Sequence, residues 1–122
     1  MFRKGSVLTA AAVAAALVAA VSAFGGSTAA SATTVTVTAG KPTEFSFTLS
    51  KKTIAKGVTT FKVTNRGSIS HDFKIAGKKT PFLASAKGAT LKVTFAKAGK
   101  YAYLCTLPGH AAGGMKGTLT VK

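Results

Sequence analysis

Negative charge is nearly absent from this sequence. Its 122 residues hold two acidic side chains, Glu44 and Asp72, against 17 lysines and arginines, a formal net charge of +15. Two carboxylates far from any paired-acid spacing offer little machinery for acid–base turnover. Cysteine is as scarce: Cys105 stands alone, so no internal disulfide staples the chain. Helical hydrophobic periodicity is missing after residue 32, which leaves strands as the building elements there.

What is present begins with a leader. "MFRKG" is a short basic start, and "SVLTAAAVAAALVAAVSAF" is an apolar, small-residue run behind it, the pattern of a secretory signal peptide. The "ASA" at Ala30 to Ala32 places the expected cut after Ala32, with "VSA" at Val21 to Ala23 as a second site. The alternative is an uncleaved anchor, but the run is mostly alanine, lies near the ~18-residue lower limit for a spanning helix and lacks flanking aromatics. Residues 1–32 are therefore expected to be a signal peptide and 33–122 one small domain. The protein is expected outside the cytoplasm, in a periplasm, at the cell surface or secreted.

Losing Arg3 and Lys4 with the leader takes the basic count from 17 to 15 against the same two acids, a net charge of +13. Such a surface attracts acidic proteins, anionic lipid or cell-wall polymer, with a strong salt dependence. Nucleic acid is a poor fit: an exported chain rarely meets it, the lysines are scattered singly between strand residues, and no recognition motif is present.

Period-two alternation runs through seven segments: "TVTVT", "EFSFTLS", "VTTFKVTN", "SISHDFKIA", "ATLKVTF", "KYAYLC" and "GMKGTLTVK". Glycine-rich and polar turns separate them. Seven short strands, with room for an eighth in "KKTPFLASAKG", predict an all-β fold, a Greek-key antiparallel β-sandwich. Parity puts His71 on one face with Ile69, Phe73 and Ile75, and Cys105 on one face with Tyr101 and Tyr103. Both side chains are expected to point inward near one pole of the sandwich.

The chemistry concentrates near the C-terminus. Cys105, His110 and Met115 follow a C-x4-H-x4-M spacing on a turn-rich loop that folds back between two strands. Beyond the leader the chain has one cysteine, one methionine and two histidines, His71 and His110. Singly, each is more often core filler than ligand. Together, a thiolate, two imidazoles and a thioether form the donor set that suits copper in both oxidation states. A hydrolase built on Cys105 lacks a third group and leaves Met115 unexplained.

The segments "N-x5-HDF" (Asn65 to Phe73), "F-x3-GKYAYLC" (Phe95 to Cys105) and "C-x4-H-x4-M-x-G" (Cys105 to Gly117) resemble the cupredoxins, the plastocyanin- and azurin-like type 1 blue-copper proteins, over about the whole mature chain. The Cys-to-His spacing is longer than in plastocyanin and is similar to rusticyanin and auracyanin. The resemblance implies one type 1 copper ion with His71, Cys105 and His110 as strong equatorial ligands and Met115 as the weak axial one. It also implies a non-enzymatic role, the carrying of single electrons between redox partners. An extracytoplasmic copper carrier or scavenger without redox cycling is the rival reading. The expected partners are a redox protein with an acidic docking surface, such as a cytochrome or oxidase, and an anionic membrane or wall, with the protein itself a monomer. His110 is expected to show an exposed edge inside an apolar patch of Leu107, Pro108, Ala111 and Ala112. At the position after the first histidine, where plastocyanin and azurin carry asparagine, this chain has Asp72. Its carboxylate either ties the Cys105 loop, at Thr106, or faces solvent.

Overall fold

The computed structural model describes residues 32–122. The expected signal peptide lies outside these residues except for Ala32, which opens the first strand. None of the described residues lies in a helix, and none forms a helix long and apolar enough to cross a membrane.

Among the described residues there are nine strands, the longer ones where alternation supplies one buried face. They are β1 (Ala32–Ala39), β2 (Phe47–Leu49), β3 (Thr53–Ile54), β4 (Gly57–Asn65), β5 (Lys74–Ile75), β6 (Lys78–Lys79), β7 (Gly88–Phe95), β8 (Gly99–Leu104) and β9 (Lys116–Val121). One sheet has the order β2-β1-β4-β7 and the other β3-β9-β8-β5-β6. Most neighbours are antiparallel, as expected, but each sheet also contains a parallel pair. β1 runs parallel to β4 from Ala32↔Val58 to Ala39↔Asn65, and β3 runs parallel to β9. The chain leaves the first sheet after β2 and returns for β4, so those two long strands can lie side by side in the same direction.

The inward faces of β4 and β7 bring Phe61, Val63, Val93 and Phe95 against Ile75, Tyr103, Leu119 and Val121 of the other sheet, all buried. Phe73 sits among them, with its ring 5.3 Å from Phe61, 5.3 Å from Phe47 in a T-shaped pair and 5.5 Å from Tyr103. Edge and tilted contacts of this kind add to simple area burial. Because Phe73 follows His71 by two residues, the core itself anchors that segment. A second, smaller cluster of Ala39, Cys105 and Met115 lies at the pole, under Phe47 and Leu107.

Two expected strands are shorter than their pattern. In "EFSFTLS" only Phe47–Leu49 pairs, because Ser46 closes a turn: its hydroxyl accepts the Thr43 N–H at 3.0 Å and donates to the Thr43 carbonyl at 2.7 Å. That turn leaves Phe45 38% exposed instead of inward. In "SISHDFKIA" only Lys74–Ile75 joins the sheet. His71 makes an isolated antiparallel bridge to Leu83 instead, Ile69 is exposed, and His71, Asp72 and Phe73 are all buried in succession. The "KKTPFLASAKG" stretch supplies β6 and the bridging Leu83.

Phe61 packs on the rings of Phe73 and Phe95 in the inter-sheet core. Phe61→Ala is expected to lower the unfolding free energy of the metal-free protein by about 3–5 kcal/mol, read by denaturant titration. A loss below about 1 kcal/mol would mean that the inter-sheet core is organised differently.

Candidate metal centre

Three chain segments meet at the pole: the loop after β4, the end of β8 and the loop from Cys105 to Met115. The first is shaped by Asn65, which is fully buried. Its amide nitrogen donates to the carbonyls of Ile69 at 2.8 Å and Leu83 at 2.7 Å, and its oxygen accepts the Gly67 N–H at 2.8 Å. Every polar atom of that side chain is satisfied by backbone, which freezes the approach to His71.

The third segment is held by its own backbone. Cys105 N–H donates to the Met115 carbonyl at 3.1 Å, Met115 N–H to the His110 carbonyl at 3.0 Å, and His110 N–H to the Leu107 carbonyl at 3.1 Å. Gly109 (φ 81°) and Gly114 (φ 115°) take the left-handed turns that fold it back. These bonds place Cys105, His110 and Met115 together, as their spacing suggested.

His71 Nδ1 lies 3.2 Å from His110 Nδ1, and Cys105 Sγ lies 3.4 Å from the same His110 nitrogen. One donor atom from each of the three residues falls within 4.8 Å of the others, and all three residues are buried. Imidazole nitrogen and thiolate sulfur sit about 2.0–2.3 Å from a borderline divalent ion, so donors around one ion stand a little over 3 Å apart. The cluster fits a single soft-to-borderline metal such as copper. Met115 is fully buried and packs in the same small cluster as Cys105. His110 is 8% exposed, less open than expected, with the Phe45 ring packed on it at 4.9 Å between centroids.

Burial pushes the Cys105 thiol above its ordinary value, although the backbone N–H groups of Asp72 and Leu107 favour the thiolate. Burial, and then the neighbouring His71, lower the pKa of His110. His110 therefore keeps its lone pair free at neutral pH, whereas the thiol must lose its proton to bind a metal.

Both acids of the chain belong to this pole. Asp72 is fully buried, which settles its role against the solvent-facing reading. Its Oδ1 accepts the Thr106 N–H at 2.6 Å, its Oδ2 accepts the Thr106 hydroxyl, and its own N–H points to Cys105 Sγ at 3.5 Å. Glu44 was not singled out from sequence, since 27 residues separate it from His71. Its Oε2 lies 2.6 Å from His71 Nε2. Its carboxyl is held down to about 2, first by the Ser68 N–H and then by His71. The one sequence signal was scarcity: a chain with two carboxylates has reason to use both.

No curated protein matches this chain by sequence. Among solved structures it is similar to rusticyanin from Thiobacillus ferrooxidans, with 27% identity, TM-score 0.64, and 74% of this chain and 77% of that one covered. Auracyanin B matches with 22% identity, TM-score 0.65 and coverage of 74% and 88%. Auracyanin A from Chloroflexus aurantiacus matches with 20% identity, TM-score 0.64 and coverage of 75% and 100%. The family model for copper binding proteins of the plastocyanin/azurin family matches residues 30–122. Sandwich, donor cluster and family match agree: the chain belongs to the plastocyanin/azurin family of copper binding proteins, the cupredoxins, and copper is its cofactor.

Proposed function

We propose that this protein is an exported type 1 blue-copper electron carrier, with His71, Cys105 and His110 as equatorial ligands and Met115 as the axial one. The observation that carries the reading is the buried convergence of one donor atom each from His71, Cys105 and His110 within 4.8 Å, with His110 Nδ1 3.2 Å from His71 Nδ1 and 3.4 Å from Cys105 Sγ. Bound there, copper supplies a one-electron couple. The protein's part is to hold the donors, exclude water and leave no open position for a substrate, which supports transfer over catalysis. Delivery of the ion as a carrier requires ligand exchange, and donors this deeply buried favour retention.

Among the described residues, the exposed large hydrophobics Phe45, Ile69 and Phe82 all belong to segments around the cluster. Phe45 packs on His110, Ile69 precedes His71 by two residues, and Phe82 adjoins Leu83, the bridge partner of His71. Lys79 stands over the Phe82 ring at 5.2 Å. An apolar face with a cationic rim suits transient docking of a redox protein with acidic groups around its own exit point. Phe45 would then stand between His110 and the partner. The leader read from sequence supports export, and the cationic surface supports loose contact with an anionic envelope.

Adding Cu(II) to the purified mature domain is expected to give an intense blue thiolate-to-copper band that is missing in Cys105→Ala. No band in the wild type overturns the reading. Reversible voltammetry of the loaded protein is expected, and copper loss on reduction would favour the carrier. Since the thiol starts protonated and leaves as thiolate, apparent copper affinity should rise about tenfold per pH unit around neutrality. Competition with a chelator measures this, and a flat profile would remove Cys105 from the ligand set. Asp72→Asn keeps an acceptor for Thr106 while deleting a charge. It should retain copper and shift the Cu(II)/Cu(I) preference toward Cu(I) by about tenfold or less, about 59 mV for one electron. Loss of copper in that variant would contradict a purely tuning role for the charge.

A further inference from the structure

Glu44 reaches His71 through a gap made for it. The side chain comes from the turn before β2, and Gly40, just after β1, lies against Gly67 so closely that a Cβ on Gly40 would overlap the Gly67 backbone. Gly67 in turn must lack a side chain. A Cβ there would overlap the Glu44 carboxylate and stand 2.9 Å from His71 Nε2. Through that opening Glu44 Oε2 takes the outer nitrogen of His71 at 2.6 Å. The carboxylate also accepts the Ser68 N–H at 2.8 and 3.1 Å, with the Ile69 N–H at 3.4 Å. It is thus fixed by the same loop that leads into His71, and its side chain is 29% exposed.

A neutral imidazole has one N–H and one lone pair, and the hydrogen bond at one nitrogen decides which the other carries. A carboxylate at Nε2 accepts the N–H there and leaves the lone pair on Nδ1, the nitrogen that lies 3.2 Å from His110 Nδ1. Resting on the copper reading above, we infer that Glu44 is a positioning residue that holds His71 as an Nδ1 donor and biases the bound metal toward its oxidised state. The bias follows from charge. An anion on the far side of the ring raises the basicity of the donor nitrogen and stabilises the ion of higher charge. Asp72 does not duplicate this, since its carboxylate faces Thr106.

Glu44→Ala and Glu44→Gln separate the two effects, because the amide keeps an acceptor oxygen without the charge. Nitrogen-15 NMR of the metal-free protein at mildly alkaline pH reads the His71 ring directly. The Nε2–H tautomer should dominate in wild type and mix with the Nδ1–H form in Glu44→Ala. A wild-type ring in the Nδ1–H form, or a ratio unchanged by Glu44→Ala, overturns the positioning role whether or not copper binds. Voltammetry of loaded Glu44→Gln should show the Cu(II)/Cu(I) preference moved toward Cu(I) by about tenfold, equivalent to about 59 mV. An unchanged potential overturns the electrostatic role. Absence of the blue band in wild type would instead count against the copper reading, and the NMR result would stand apart from it.

Discussion

Everything at the pole depends on the contact between Asp72 and the Cys105 loop. The carboxylate accepts from both the backbone and the hydroxyl of Thr106, while the Asp72 N–H turns to Cys105 Sγ. This joins two segments 34 residues apart at the point where their donor side chains meet. A buried carboxylate is tolerated only when such donors replace water, so the tie also fixes where Asp72 can be. Phe73, the next residue, is held by the core rings. The histidine on the other side of Asp72 is held by Glu44. Core, tie and donor are three successive residues, and none can move without the others.

The long strands were legible because alternation is a local property. The inward faces of β1, β4, β7, β8 and β9 each follow from a period of two. It held at His71, Phe73 and Ile75 but failed at Ile69 and Asp72, where the Asn65 amide takes the Ile69 and Leu83 carbonyls and the segment before Lys74 stays out of the sheet. Alternation then has no sheet to enforce it, and His71, Asp72 and Phe73 are buried consecutively. It failed at 43–46 for a similar reason, a serine hydroxyl closing a turn. The donor cluster was legible because its residue types are rare in this chain. Glu44 was not, because its pairing with His71 depends on the absence of two side chains, at Gly40 and Gly67, which no local pattern announces. The burial of His110 was missed likewise, since Phe45 reaches it from another part of the chain.

Charge is sorted with unusual strictness. Every lysine between residues 32 and 122, and Arg66, is exposed, while both carboxylates are drawn to the metal pole, one fully buried and the other partly. Exposed cations spread over the surface are screened by salt within about 10 Å at ordinary ionic strength. Asp72, fully buried, acts over a few ångströms through a medium that water barely enters, where a charge has a larger effect, while Glu44, 29% exposed, acts by direct contact with His71. The cations therefore lie where solvent reaches them, and the two acids lie where the donor residues meet.

That division bears on how an electron would be carried. A one-electron site works with least cost when its donors occupy nearly the same positions in both oxidation states, so that little has to rearrange as charge moves. Here the positions are set by bonds that do not involve the metal. Backbone hydrogen bonds shape the Cys105–Met115 loop, Asn65 shapes the approach to His71, and Asp72 and Glu44 join these parts. A site meant to surrender its ion would gain from a loose donor or an open edge. Instead, the donor nearest the surface, His110, has the ring of Phe45 packed on it at 4.9 Å, one more fixed contact that does not involve the metal.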